Sequence, residues 1–221
     1  MTERSLARGP ETPAVRELTI GAALAEAAAE APERIAMIAG APDPGERRSW
    51  TYRALYDEAQ QVARALARGF APGERVAIWA PNVPEWVLVE FGAALAGVIL
   101  VTVNPSYRPE ELRYVLEQSR SAGLFVWPEF RGNCMLETAE AVRGQCPELR
   151  EVIRLDRWAE FLARGGEATV LPEPAPGDAC MIQYTSGTTG FPKGALLHHR
   201  GLVNNGAHTI DRKSTRLNSS H

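Results

Sequence analysis

Apolar positions fall into two rhythms along this chain, and the two alternate. From Tyr52 to Arg68, Leu55, Val62, Ala65 and Leu66 recur at the spacing that puts side chains on one face of a helix. The same reading predicts a helix from Ile20 to about Ala31, capped by Thr19. It predicts two more, Glu85 to Ala96 behind Pro84 and Glu110 to Ser119 behind Pro109, each proline tolerated in a first helical turn. Shorter segments between the helices read as strands: Ile35 to Ala39, Arg48 to Thr51, Val76 to Ala80, Ile99 to Val103, Gly123 to Trp127, Val152 to Leu155 and Cys180 to Tyr184. Asp43, Pro44 and Gly45 form a turn between the first two strands, which makes them a hairpin. Strands alternating with helices predict an α/β fold, with mostly parallel sheets and flanking helices. Pro-rich Leu171 to Asp178 reads as an exposed linker, and no internal repeat is visible.

Composition adds mainly exclusions. Of 221 residues, 45% are hydrophobic and 23% charged, as in ordinary globular proteins, and the net charge is −3. A nucleic-acid partner would ask for a basic patch, so none is expected. The longest apolar run, Phe91 to Val103, has 13 residues, short of the roughly 20 needed to span a bilayer. It reads instead as a buried helix end running into a strand. The first sixteen residues carry Glu3 and Glu11 and no apolar core, unlike a secretory or transit peptide. Cys134, Cys146 and Cys180 form no CxxC pair, and read as buried free thiols in a reducing compartment. A cytoplasmic protein without a transmembrane segment is the expectation.

The composition shifts at Asp211. Residues 211–221 are polar, with one apolar residue, Leu217, and no periodicity. All eleven residues resemble the translation of one reading frame of a common sequencing adapter. The expected organisation is therefore an N-terminal extension over 1–18, a domain truncated at Ile210, and an artefactual tail over 211–221.

The chemistry lies in Tyr184 to Gly194, Y-T-S-G-T-T-G-F-P-K-G, between the apolar stretches Cys180 to Ile182 and Ala195 to Leu197. Thr185, Ser186, Thr188 and Thr189 offer four hydroxyls. Gly187 and Gly190 remove side chains, so backbone N–H groups can approach a ligand closely. Successive amides in such a turn make an anion-binding nest, and Lys193 adds a mobile positive charge. Hydroxyls, amides and one lysine suit a polyphosphate. This is not a Walker A loop, because Pro192 and Gly194 flank Lys193 where that motif has Gly and Ser or Thr.

The string closely resembles the signature [YF]-T-S-G-T-T-G-x-P-K-G of the acyl-adenylate-forming, or AMP-binding, superfamily. All the fixed positions agree. Ser49 to Ala54 resembles the family's T-Y-x-E-L segment, with Ala54 where an acid is usual. Pro72 to Glu90 resembles its G-D-x-V-A-I…P-N-x-x-E-[FW] segment, with Glu74 in place of Asp, and Ala93 to Leu112 resembles its A-x-x-x-x-G-A-V segment ending in E-L. His199 falls where the family commonly has a histidine. The likeness covers roughly Thr19 to Asn205.

The resemblance implies the N-terminal part of the large domain of an adenylate-forming enzyme, with the small C-terminal domain absent. Such enzymes join a carboxylic acid to ATP, release pyrophosphate, and pass the acyl group to a thiol, usually that of CoA. Carried over residue by residue, Thr185, Ser186, Gly187, Thr188, Thr189, Gly190 and Lys193 would hold the β- and γ-phosphates, and Lys193 would offset charge on the departing pyrophosphate. The Mg²⁺-associated glutamate, the ribose-binding aspartate and the C-terminal catalytic lysine belong to segments outside this chain, so no metal ligand is assigned within it. Inside the superfamily, Met181 to Asn205 looks most like bacterial medium-chain fatty-acyl-CoA ligases. An aryl-CoA ligase, a carrier-protein-loading adenylation domain, and a non-catalytic nucleotide-binding module are the alternatives. His199 is expected to be structural, hydrogen-bonded near the base of the loop. Trp79, Trp86, Tyr107 and Trp127 are expected to pack rather than stack on a ligand.

Overall fold

A computed structural model describes residues 14–40, 43–166, 169–185 and 192–218. Helix α1 is Ile20–Glu30, and the Thr19 hydroxyl accepts from the Ala22 amide at 3.1 Å, satisfying one of its free N–H groups. Strands β1 (Ile35–Ile38) and β2 (Ser49–Thr51) form an antiparallel pair, as the turn between them predicted. Thr51 caps α2 (Tyr52–Ala67), whose buried face holds Leu55, Ala59, Val62 and Leu66.

A regular alternation follows: β3 (Arg75–Trp79), α3 (Pro84–Ala96), β4 (Ile99–Val103), α4 (Pro109–Ser119), β5 (Ser121–Val126), α5 (Met135–Arg143), β6 (Glu151–Arg154), α6 (Trp158–Leu162), β7 (Ala179–Thr185), β8 (Lys193–His198) and α7 (His199–Asn218). Proline opens α3 and α4 as the sequence predicts. Gly97 ends α3 at φ 66°, a left-handed position that costs glycine nothing, so the long apolar run is indeed a helix end feeding a strand. Helix α7 runs on into the segment that begins at Asp211.

Six strands make one sheet in the order β6-β5-β3-β4-β7-β8. The first five run parallel; β8 returns antiparallel to β7. Side chains alternate between the two faces, as a period of two requires. Val76, Ile78, Leu100 and Phe125 pack against α1, α2, α3 and α6. Ala77, Trp79, Val101, Leu124 and Val126 pack against α4 and α5. Both faces are covered, which is why these strands read as continuously apolar runs. Helices α2 and α3 pack closely at Gly92, where a Cβ would lie 2.3 Å from Val62 Cγ1.

Two expectations need correction. Leu171 to Asp178 is no free linker. Leu171 packs against the core, and Pro172 and Pro174 lie against Gly97. Proline lacks an N–H and carries an apolar ring, so a Pro-rich stretch can lie against a helix end without stranding donors. Among the cysteines, Cys146 and Cys180 are buried, but Cys134 is exposed in the turn before α5. No helix among the described residues is long and apolar enough to cross a membrane.

Candidate functional site

The exit of β3 leads to α3 on one face of the sheet, whereas the exit of β4 leads to α4 on the other. The connections leaving β3 and β4 therefore part at the carboxyl ends of these two strands, the kind of place where open α/β sheets bind ligands. The loops that frame it are Ala80 to Val83 and Asn104 to Arg108. Trp79 donates from Nε1 to the Asn104 carbonyl at 2.9 Å, and the Asn104 side chain accepts from the Ser106 amide at 2.9 Å. Trp79 is fully buried, so its indole ties the strand end to the Asn104 loop instead of offering a stacking face. Both loops lie in the family-like segments Pro72 to Glu90 and Ala93 to Leu112, which carried no expected site role. Their Pro-Asn and Asn-Pro pairs, each at a strand exit, were the available signal.

Strand β7 neighbours β4 and ends at the same edge with Thr185. Lys193 opens β8 and is registered directly opposite Thr185. The Thr185 hydroxyl lies 3.5 Å from the Lys193 carbonyl oxygen, and both side chains are exposed. Thus the signature joins two antiparallel strands at the sheet's carboxyl edge. Ser186, Gly187, Thr188, Thr189 and Gly190, which sequence assigns to phosphate binding, lie outside the described residues. Thr185 and Lys193 are brought together at the base of that segment.

The next pair inward is Tyr184 opposite Gly194. A Cβ on Gly194 would lie 2.9 Å from Ile182 Cγ2 and 3.2 Å from the Tyr184 ring, so the tyrosine covers the glycine. Tyr184 donates to the Val115 carbonyl at 3.5 Å, and burial, helped by Tyr114 and Tyr107, pushes its phenol up to about 12. It remains a neutral packing group at ordinary pH. No cluster of three or more His, Cys, Asp or Glu side chains suited to a metal occurs among the described residues.

His199 is structural, but it does not sit near the loop. It follows β8 at the end away from Lys193, roughly 20 Å along a six-residue strand. There it is 1% exposed, and its Nδ1 accepts from the Ile20 amide at 3.3 Å, at the start of α1. Burial lowers its pKa, which favours the neutral acceptor. The neighbouring His198 accepts from the Gly201 amide at 2.9 Å and caps α7. Adjacent histidines thus serve two separate helix ends.

An apolar cavity of about 570 Å³ lies elsewhere, between α1, α3 and α7, with Glu90 in its wall. Burial raises the Glu90 pKa, and Glu90 in turn helps burial push the Cys180 thiol up to about 12. Neither group faces the Thr185–Lys193 edge.

This chain is similar to known CoA ligases over most of its length. An acyl-CoA ligase of Aspergillus fumigatus, sidI, is 37% identical over 189 residues, covering 74% of this chain and 31% of that protein. The human mitochondrial medium-chain acyl-CoA ligase ACSF2 is 34% identical over 215 residues, covering 85% of this chain and 34% of its own length. The crystal structure of the anthranilate CoA ligase AuaEII superposes with a TM-score of 0.72 at 27% identity, over 83% of this chain and 34% of that one. The chain therefore spans about a third of the length of each. The family of AMP-binding enzymes matches residues 24–219. With the signature at the carboxyl edge of a doubly covered parallel sheet, and with that match along nearly its whole length, the chain belongs to the AMP-binding enzyme family.

Proposed function

We propose that this chain supplies the pyrophosphate-holding edge of an ATP-dependent acid–thiol ligase that acts on a fatty acid. A carboxylate is a poor electrophile. Its oxygen attacks the α-phosphorus of ATP, the bond to the β-phosphate bridge breaks, and pyrophosphate departs. A CoA thiolate then attacks the acyl carbon and AMP leaves. The pairing of Thr185 with Lys193 across the base of the signature carries this reading, because it sets a hydroxyl and an ammonium at one sheet edge. The Lys193 charge balances negative charge that grows on the leaving pyrophosphate, an interaction stronger in the transition state than in bound ATP.

Acid-dependent exchange of labelled pyrophosphate into ATP tests this on the longer protein that carries the chain. With octanoate as acid, Lys193→Ala is expected to slow exchange by about 10²-fold, the cost typical of removing one preorganised charge-stabilising donor. Exchange unchanged in that variant would remove the assignment. The same assay with anthranilate or benzoate in place of octanoate separates the aryl reading, which the AuaEII likeness supports, from the fatty one. Residues 1–210 alone are expected to show no exchange.

A further inference from the structure

Strand β8 has few side chains to hold its register. Among the described residues it pairs with β7 alone, and within this chain five of its six residues, all but Leu197, are exposed. Strands that bury little on either face are prone to slip. A slip of two residues would carry Lys193 on the order of 7 Å from Thr185.

Two pins oppose such a slip. Near the signature, Gly194 fits beneath Tyr184, where a longer side chain has no room. At the far end, β8 passes directly into α7, and α7 is tied down by polar contacts. The His199 and Arg200 amides donate to the Asp178 and Pro176 carbonyls at 3.2 and 2.8 Å. The His199 ring accepts from Ile20. Asn204 accepts from the Arg16 amide at 2.8 Å and donates to the Arg16 carbonyl at 2.9 Å, and Arg200 pairs with Glu17 at 3.1 Å. The segment just before α1 is thus strapped across the first turns of α7.

We infer that His199 and the Arg16–Asn204 strap are positioning groups that set the register of β8, and so place Lys193 opposite Thr185 from the other end of the strand. This rests on the reading of Lys193 as a phosphate-holding residue. Both His199 and Asn204 lie beyond the end of β8 that is away from Lys193, and each acts through the strand.

The test is steady-state kinetics of the longer protein, with Lys193→Ala alongside. Phenylalanine at 199 keeps the ring volume but removes the acceptor, and asparagine restores an acceptor at nearly the Nδ1 position. H199F is expected to raise KM for ATP about tenfold while moving KM for the acid less than about twofold, in line with the cost of small misplacements. H199N is expected to restore KM for ATP to within about twofold of the parent. N204A, which leaves the His199 pin intact, is expected to raise KM for ATP by a smaller factor and serves if H199F does not fold. A lower melting temperature in H199F and N204A with KM for ATP unchanged would overturn the register proposal, provided that K193A does alter ATP use. If K193A leaves ATP use untouched, the phosphate reading itself falls and takes this proposal with it.

Discussion

Single side chains decide the edge of the site. Gly194 is a case where the requirement is space, since its backbone sits under Tyr184 and against Ile182. Gly194→Ala must push one of them aside and is expected to cost about 1–3 kcal/mol, the usual cost of overpacking, read as a lower urea midpoint. An unchanged midpoint would show that Tyr184 does not cover the strand. Glu90 is a case where the requirement is electrical. Its folded pKa lies above the ordinary value of 4.5 because burial penalises the carboxylate. The folded state therefore holds this proton more tightly than the unfolded chain does. The resulting stability is present below about pH 4.5 and is lost as pH rises through the raised value. Glu90→Gln carries no such dependence. It is expected to be more stable than the parent at about pH 8, with the gap closing at about pH 4, in paired denaturant titrations. A gap that does not change with pH would contradict the burial of this carboxylate.

Elements are joined by a few polar contacts laid over apolar packing. Glu58 on α2 accepts from the Trp50 indole in β2 at 2.7 Å and from the Trp158 indole in α6 at 2.9 Å. One carboxylate thus ties the hairpin, a long helix and a short helix together, with the Arg48 guanidinium stacked 4.6 Å from the Trp50 ring centroid. An amide offers one acceptor oxygen where the carboxylate offers two. Glu58→Gln is therefore expected to leave one indole N–H unpaired and to cost about 1–3 kcal/mol in chemical denaturation. A neutral result would mean that water replaces the lost acceptor. The caps of α1 and α2 by Thr19 and Thr51, and the prolines that open α3 and α4, were readable in sequence because each acts within one turn. The Trp50–Glu58–Trp158 bridge was not, since its Glu58–Trp158 bond joins residues 100 positions apart.

For the molecule as a whole, the exposed surfaces matter as much as the core. Ile35, Ile38 and Leu196 are 49%, 60% and 63% exposed, and Leu196 lies on β8, an outer strand of the sheet. An apolar edge with unpaired backbone groups is a template for pairing with another chain. The 221-residue chain by itself is expected to self-associate as its concentration rises, seen by light scattering, and Leu196→Lys is expected to suppress this. Scattering that is the same in both would point to a different surface.

Local physics explains how much could be read from sequence. Helical and strand periods predicted α1 to α4 and β1 to β7, because a period of 3.6 or 2 is a property of neighbouring residues, whereas the short α5 and α6 and the exposed β8 were given no range. The signature at Tyr184 to Gly194 marked the chemistry because so specific a string of hydroxyls, glycines and one lysine is legible without a fold. Sequence could not say that β8 turns back beside β7 so that Lys193 faces Thr185, that Leu171 to Asp178 packs beneath α7, or that His199 reaches α1 instead of the loop. Each of those depends on which buried surfaces and unsatisfied backbone groups meet across long stretches of chain. Only the closing of the core, with every buried polar group seeking a partner, decides that.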